Sequence, residues 1–136
     1  MNRIIHFEIH AADPERAARF YRDLFGWDIQ EWLIPGVELP DENRYWSVTI
    51  GPGDEPGING GILFRSGAAP ADSQAANAYV CTVGVSSVDE YAAKALAAGG
   101  AILHPKMAIR GVGWIVHCRD TEGNRFGMMK EDREAR

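Results

Sequence analysis

IIHFEIHAADPERAARFYRDLFGW, residues 4–27, decides how the rest of the chain reads. In Ile5-His6-Phe7-Glu8-Ile9-His10 apolar and polar residues alternate strictly. A strand turns successive side chains to opposite faces, so Ile5, Phe7 and Ile9 share one face and His6, Glu8 and His10 the other. The apolar face needs a cover, and the next residues supply one. Asp13 is a good N-cap, and Pro14 suits the first helical position, where its missing N–H costs nothing. Ala17, Phe20, Tyr21 and Leu24 recur at helical spacing, and Gly26 is a natural helix terminator. The unit is a strand and a covering helix that together present two histidines and a glutamate.

Working outward, Trp27 to Leu33 predicts a second strand, and Arg44 to Ile50 (RYWSVTI) a third. Turn residues fill Gly51 to Gly57. Ile58 to Arg65 predicts a fourth strand, whose Gly60-Gly61 pair marks a bulge, a bend or a close backbone approach. Ser66 to Asn77 is small, polar and aperiodic, the composition of a flexible linker. The pattern then restarts. Ala78 to Val85 reads as a strand, and Ser87 with Glu90 has capping-box spacing ahead of an Ala-rich helix to Ala98. Ala101 to His104 reads as a strand stopped by Pro105, followed by strands over Val112 to Arg119 and Asn124 to Lys130. Asp13 to Gly26 spans the same distance as Ser86 to Gly99, which predicts helices of equal length.

Two such units, each with an exposed sheet face, most simply pair to enclose a concave surface. The expected class is α+β, with two βαβββ modules forming a curved, cup-shaped, mostly antiparallel sheet and the helices on its convex side. The bounds are one domain over 1–136, with module one at 1–66, a linker at 67–76, module two at 77–130 and a solvated charged tail at 131–136. The final KEDREAR is read as part of that tail's charged run.

Composition narrows the partners. The 46% hydrophobic and 24% charged residues are globular proportions. A formal net charge of -5 argues against a general nucleic-acid or anionic-membrane surface. There is no apolar run of membrane-spanning length and no signal-type apolar segment at the N-terminus, so a cytoplasmic protein is expected. Cys81 and Cys118 lack metal-type spacing and read as free, buried thiols in a reducing compartment.

The segments HxxxxAxDPExAxxFYxxLFGW (His6 to Trp27) and DTEGNxFGMM (Asp120 to Met129) resemble the vicinal oxygen chelate superfamily, which includes glyoxalase I, extradiol dioxygenases and bleomycin-resistance proteins. EPGINGG (Glu55 to Gly61) and PKMAIxGVGW (Pro105 to Trp114) resemble a group of small glyoxalase-like proteins within it. The resemblance covers nearly the whole chain and implies a single glyoxalase-like domain. It also implies a divalent metal held by one ligand on each of four strands. His6 falls on the first of these positions. Ser47, then Tyr79 or Val80, then Gly127 fall on the others, where glutamate, glutamine or histidine is expected. One protein ligand in four is short of the about three that a catalytic site requires.

His6, Glu8 and His10 do not make an obvious replacement, because the outer two lie about 13 Å apart on one strand. Polar side chains lining a wet cleft are the simpler reading. His104 and His117 stand isolated in module two. Met107, Met128 and Met129 read as core filling, and Trp46 and Trp114 as core or interface. The expected ligand-lining residues are His6, Glu8, His10 and Ser47 from module one, with Tyr79, Arg125 and Met129 from module two. No cofactor is assigned; a divalent metal at His6 is only what the resemblance leaves open. Two functions stay open. One is a binding protein for a small organic molecule; the other is a lyase, isomerase or dioxygenase-like enzyme with Glu8 or His10 as general base beside a carbonyl. A homodimer is expected, because edge strands and poorly covered faces call for a partner.

Overall fold

The computed structural model describes residues 4–74 and 79–136. They form two compact units, Met1–Ala69 and Pro70–Arg136, and each carries one βαβββ module with its own four-stranded sheet. Among the described residues no helix is long and apolar enough to cross a membrane.

In the first unit β1 (Phe7–Ala11) leads into α1 (Pro14–Phe25), then β2 (Asp28–Glu31), a 3-10 turn (Asp41–Asn43), β3 (Tyr45–Thr49) and β4 (Gly60–Phe64). The helix starts and stops where the sequence predicts. The Asp13 carboxylate accepts from the Arg16 amide at 3.1 Å, Pro14 takes the first turn, and Gly26 ends the helix at φ 70. That left-handed φ is inexpensive only for glycine. The sheet order is β1-β4-β3-β2, with β1 and β4 parallel and the other pairs antiparallel. Phe20, Tyr21 and Leu24 of α1 are buried together with Ile29, Trp46, Val48 and Ile62. Tyr21 stacks on Trp27 with ring centres 5.3 Å apart, and Trp27 in turn meets Phe7 at 5.9 Å. The Trp46 indole N–H donates to Glu15 of α1 at 2.5 Å, bonding strand to helix.

Ile5 departs from expectation. The strand begins at Phe7, because the partner strand β4 begins at Gly60, and Ile5 is left 81% exposed. Phe7, Ile9 and the fully buried Ala11 form the covered face of β1.

The second unit contains β5 (Thr82–Gly84), α2 (Val88–Ala97), β6 (Ala101–Ile109), β7 (Gly113–Arg119) and β8 (Arg125–Glu131), in the sheet order β5-β8-β7-β6. Its core gathers Val88, Ala95, Val116, Cys118, Phe126 and Met128. Ser87 caps α2 by accepting from the Glu90 amide at 3.2 Å. The helix has 10 residues against 12 in α1, so the two are not equal in length. The β7–β8 turn is held by buried Asp120, whose Oδ1 accepts from the amides of Glu122 and Asn124, both at 2.8 Å.

Four expectations are corrected here. Pro105 does not stop β6, which runs on to Ile109. It is an edge strand, where a missing N–H is tolerated, and its register shifts on both sides of His104. The last residues are not a solvated tail. Asp132 accepts from the Trp114 indole at 3.1 Å, and Ala135 is fully buried. The linker is not simply loose, since Arg119 donates to both carboxylate oxygens of Asp72, at 2.7 and 2.9 Å. The linker residues 75–76 and the start of the strand expected from Ala78 lie outside the described residues. Finally, Cys118 is buried but Cys81 is exposed, because β5 starts only at Thr82.

The two thiols therefore differ in reactivity. Burial pushes the Cys118 thiol up from 9.0 to about 11. A neutral thiol that ionises more easily when unfolded adds stability fully present below about pH 9 and lost as pH rises through about 11. A thiol-specific reagent at pH 8 should label Cys81 in the native protein and Cys118 only after denaturation. Equal, rapid labelling of both in the native state would contradict this packing.

Candidate functional site

The side chains on the face of the first sheet opposite α1 follow from register. Trp46, Ile62 and Val48 point into the core, so their neighbours Tyr45, Ser47, Gly61 and Leu63 point the other way. On β1, Glu8 pairs with Gly61 and His10 with Leu63, which puts both on that same open face. The His10 Nε2 lies 3.1 Å from Glu8 Oε2, with both side chains about half exposed (51% and 49%). A carboxylate only accepts, so the imidazole N–H donates in this pair.

Tyr45 is the residue that reading along the chain misses. Its hydroxyl stands 3.3 Å from His6 Nε2, a hydrogen bond in which either group can donate. To reach His6 the ring crosses β4 at Gly61. Any Cβ there would collide with the Tyr45 hydroxyl and ring carbons, so glycine is what lets the phenol lie flat on the sheet. The signal was present in RYWSVTI: Tyr45 is two residues before Ser47 and so shares its face.

The electrostatics act against ionisation of this phenol. Burial is the larger cause raising the Tyr45 pKa above 10.0, and the Glu8 charge raises it further. The open face thus offers a neutral O–H donor beside a carboxylate–imidazole pair. Such a set can bind a polar oxygen, or donate a proton to one group while accepting one from another.

The other predicted residues are placed as follows. Ser47 is on the open face, its hydroxyl donating to the Gln30 carbonyl at 3.3 Å. Gly61 separates it from Glu8. Tyr79 precedes β5 and is 89% exposed, so it is not part of a strand face. Arg125 and Met129 lie on β8. The Arg125 guanidinium donates to the backbone carbonyls of Asp72 and Gln74, and Met129 is opposite Ile115. The structure brings together His6, Glu8, His10 and Tyr45; it does not gather Tyr79, Arg125 and Met129 into a cluster.

The two registers also define equivalent positions. The row Glu8, Gly61, Ser47 in the first sheet matches Thr82, Gly127, His117 in the second. Counting two residues back from Glu8 and from Thr82 equates His6 with Val80. Ser47 is therefore the counterpart of His117, and Gly61 of Gly127. Among the described residues no group of three or more His, Cys, Asp or Glu side chains converges as a metal site.

Comparison with known proteins places this arrangement. A family model described as bleomycin resistance protein-like, N-terminal, matches residues 3–35. No curated protein matches the chain by sequence. A glyoxylase/bleomycin resistance protein/dioxygenase domain from Frankia sp. EAN1pec is 17% identical, with 97% of this chain and 99% of that chain covered at a TM-score of 0.69. A variant of the fosfomycin resistance protein FosX from Listeria monocytogenes, complexed with Mn(II) and 1S,2S-dihydroxypropylphosphonic acid, is 17% identical. It covers 95% of this chain and 90% of that one at a TM-score of 0.66. TioX from Micromonospora sp. ML1 is 21% identical, with 96% and 100% covered and a TM-score of 0.60. The family model gives a likeness over the N-terminal residues, and the solved structures share the fold of the chain.

Replacing Glu8 by Gln removes the lesser of the two causes acting on Tyr45. The Tyr45 pKa should fall part of the way towards 10.0 while remaining raised by burial. Ring-selective NMR titration of wild type and Glu8→Gln measures this directly. Identical titrations would contradict the placement of Glu8 beside the phenol.

Proposed function

We propose that the chain binds a small organic molecule on the open face of its first module, with Tyr45 and the Glu8–His10 pair as the polar contacts. The inherited metal position is not rebuilt. The observation that carries this reading is the Tyr45–His6 hydrogen bond across Gly61. It commits to a phenol the one imidazole that matches a ligand position of the superfamily. The other positions support it. Gly127 offers no donor atom, Ser47 is hydrogen-bonded to a carbonyl, and Tyr79 stands before its strand. These residues do not fit a divalent ion that needs about three protein ligands.

A second reading is favoured by the placement of the Tyr45 hydroxyl on the same face as the Glu8–His10 pair. A phenol held protonated can donate to a carbonyl oxygen while Glu8, or His10 relayed through it, takes the proton from the adjacent carbon. This is an isomerase- or lyase-type step with no metal in it. Relatives of this fold support a small-molecule ligand in general terms, since the FosX variant was solved with a small phosphonic acid.

One experiment tests both. A library of small aromatic and carbonyl compounds is screened by NMR against the labelled protein, reading the His6, His10 and Tyr45 ring resonances. Hits should perturb these three rings and weaken about tenfold in Tyr45→Phe, the loss of one hydrogen bond. Hits that perturb other surfaces and ignore Tyr45→Phe would overturn the site. Deuterium entering the carbon beside a carbonyl of a hit in D2O, abolished in Glu8→Gln, would select the enzymatic reading over simple binding.

A further inference from the structure

His104 and His117 are far apart in sequence, yet the β6–β7 ladder makes them direct cross-strand partners. Their ring centres are 5.9 Å apart and their planes are nearly perpendicular at 85°. We propose that this pair is a binding site for a divalent transition ion such as zinc, copper or nickel, held by side chains other than those at the superfamily's ligand positions.

The geometry suits a shared ion. With metal–nitrogen bonds of about 2 Å, two imidazoles on one tetrahedral ion hold their ring centres about 5 Å apart. The observed separation therefore needs only a small rotation about the side-chain torsions. Direct cross-strand partners have Cβ atoms about 5 Å apart, which fixes the two donors to one side of the sheet. Neutral imidazole is also the ligand these ions favour.

The surroundings point the same way. The register shifts on both sides of His104, between Ile102 and His104 and again between His104 and Met107. Such bulges re-aim a side chain, and here the residue they re-aim is the one that meets His117. Among the described residues neither ring has a hydrogen-bond partner, so ligation displaces none. The neighbouring cations are already neutralised. Arg119, on the same face as His117, donates to Asp72 at 2.7 Å, and Lys106 donates to Asp89 at 2.7 Å. Beside His117 on the next strand stands Gly127, and the Thr82 side chain occupies the space a Cβ there would take. Two protein ligands leave the remaining positions to water or to an oxygen ligand, so the ion is exchangeable and not structural.

The chain has 4 histidines, which makes the test clean. Zinc chloride alone is titrated calorimetrically into wild type, His104→Ala, His117→Ala and a His6→Ala/His10→Ala double variant, each checked for an unchanged thermal transition. Imidazole NMR shifts identify the rings that ligate. The expected result is one site per chain in wild type and in the double variant, at least tenfold weaker in each module-two variant. Retention of full affinity in His104→Ala and His117→Ala, or its loss only in His6→Ala/His10→Ala, would overturn the proposal. So would a wild type that takes up no zinc. The proposal for small-molecule binding is independent of all these outcomes.

Discussion

The indole of Trp46 ties helix α1 to the middle of its sheet, and the first module depends on that tie. Trp46 sits on β3, between β4 and β2, 1% exposed, with its N–H bonded to Glu15 in the first turn of the helix. Phe64 meets the ring edge-on at 5.9 Å, and the Arg44 guanidinium lies 4.9 Å from its centre. Losing a buried ring of this size typically costs about 3–5 kcal/mol, far more than an N-cap at about 1 kcal/mol. Packing therefore outweighs capping in holding α1 in place. Once the helix is fixed on that face, strand alternation leaves only the opposite face for polar side chains. The site is what the core does not use.

Within that open face one glycine decides the geometry. A side chain at Gly61 would push the Tyr45 phenol off the sheet and away from His6. The same register position in the second sheet is again a glycine, Gly127, where Thr82 approaches closely. The two modules thus keep a repeated backbone while carrying different side chains on it. In the first, phenol, imidazole and carboxylate meet; in the second, two imidazoles face each other across β6 and β7. A common scaffold with divergent surface chemistry is what separates fold from function in this chain.

Local signals made much of the fold legible. The Asp13-Pro14 start, the Gly26 stop and the helical spacing of Phe20, Tyr21 and Leu24 are each decided by residues a few positions apart. The shared face of Glu8 and His10 was legible for the same reason, although His6 falls just ahead of β1. What escaped depends on distant partners. Ile5 looked covered, but the extent of β1 is set by where β4 begins. Pro105 looked like a stop until the sheet order made β6 an edge. Asp72 looked like linker, and only the fold brings Arg119 to it. The Tyr45–His6 contact and the His104–His117 pair required registers that no single segment encodes.

The central claim is that Tyr45 lies across Gly61 to meet His6 on the face opposite the helix. An isotope-edited NOE spectrum tests it most directly. The account predicts cross-peaks from the Tyr45 ring protons to the Gly61 α-protons and to the His6 ring. Contacts instead between the Tyr45 ring and Phe20 or Leu24 would place the phenol in the core and contradict it.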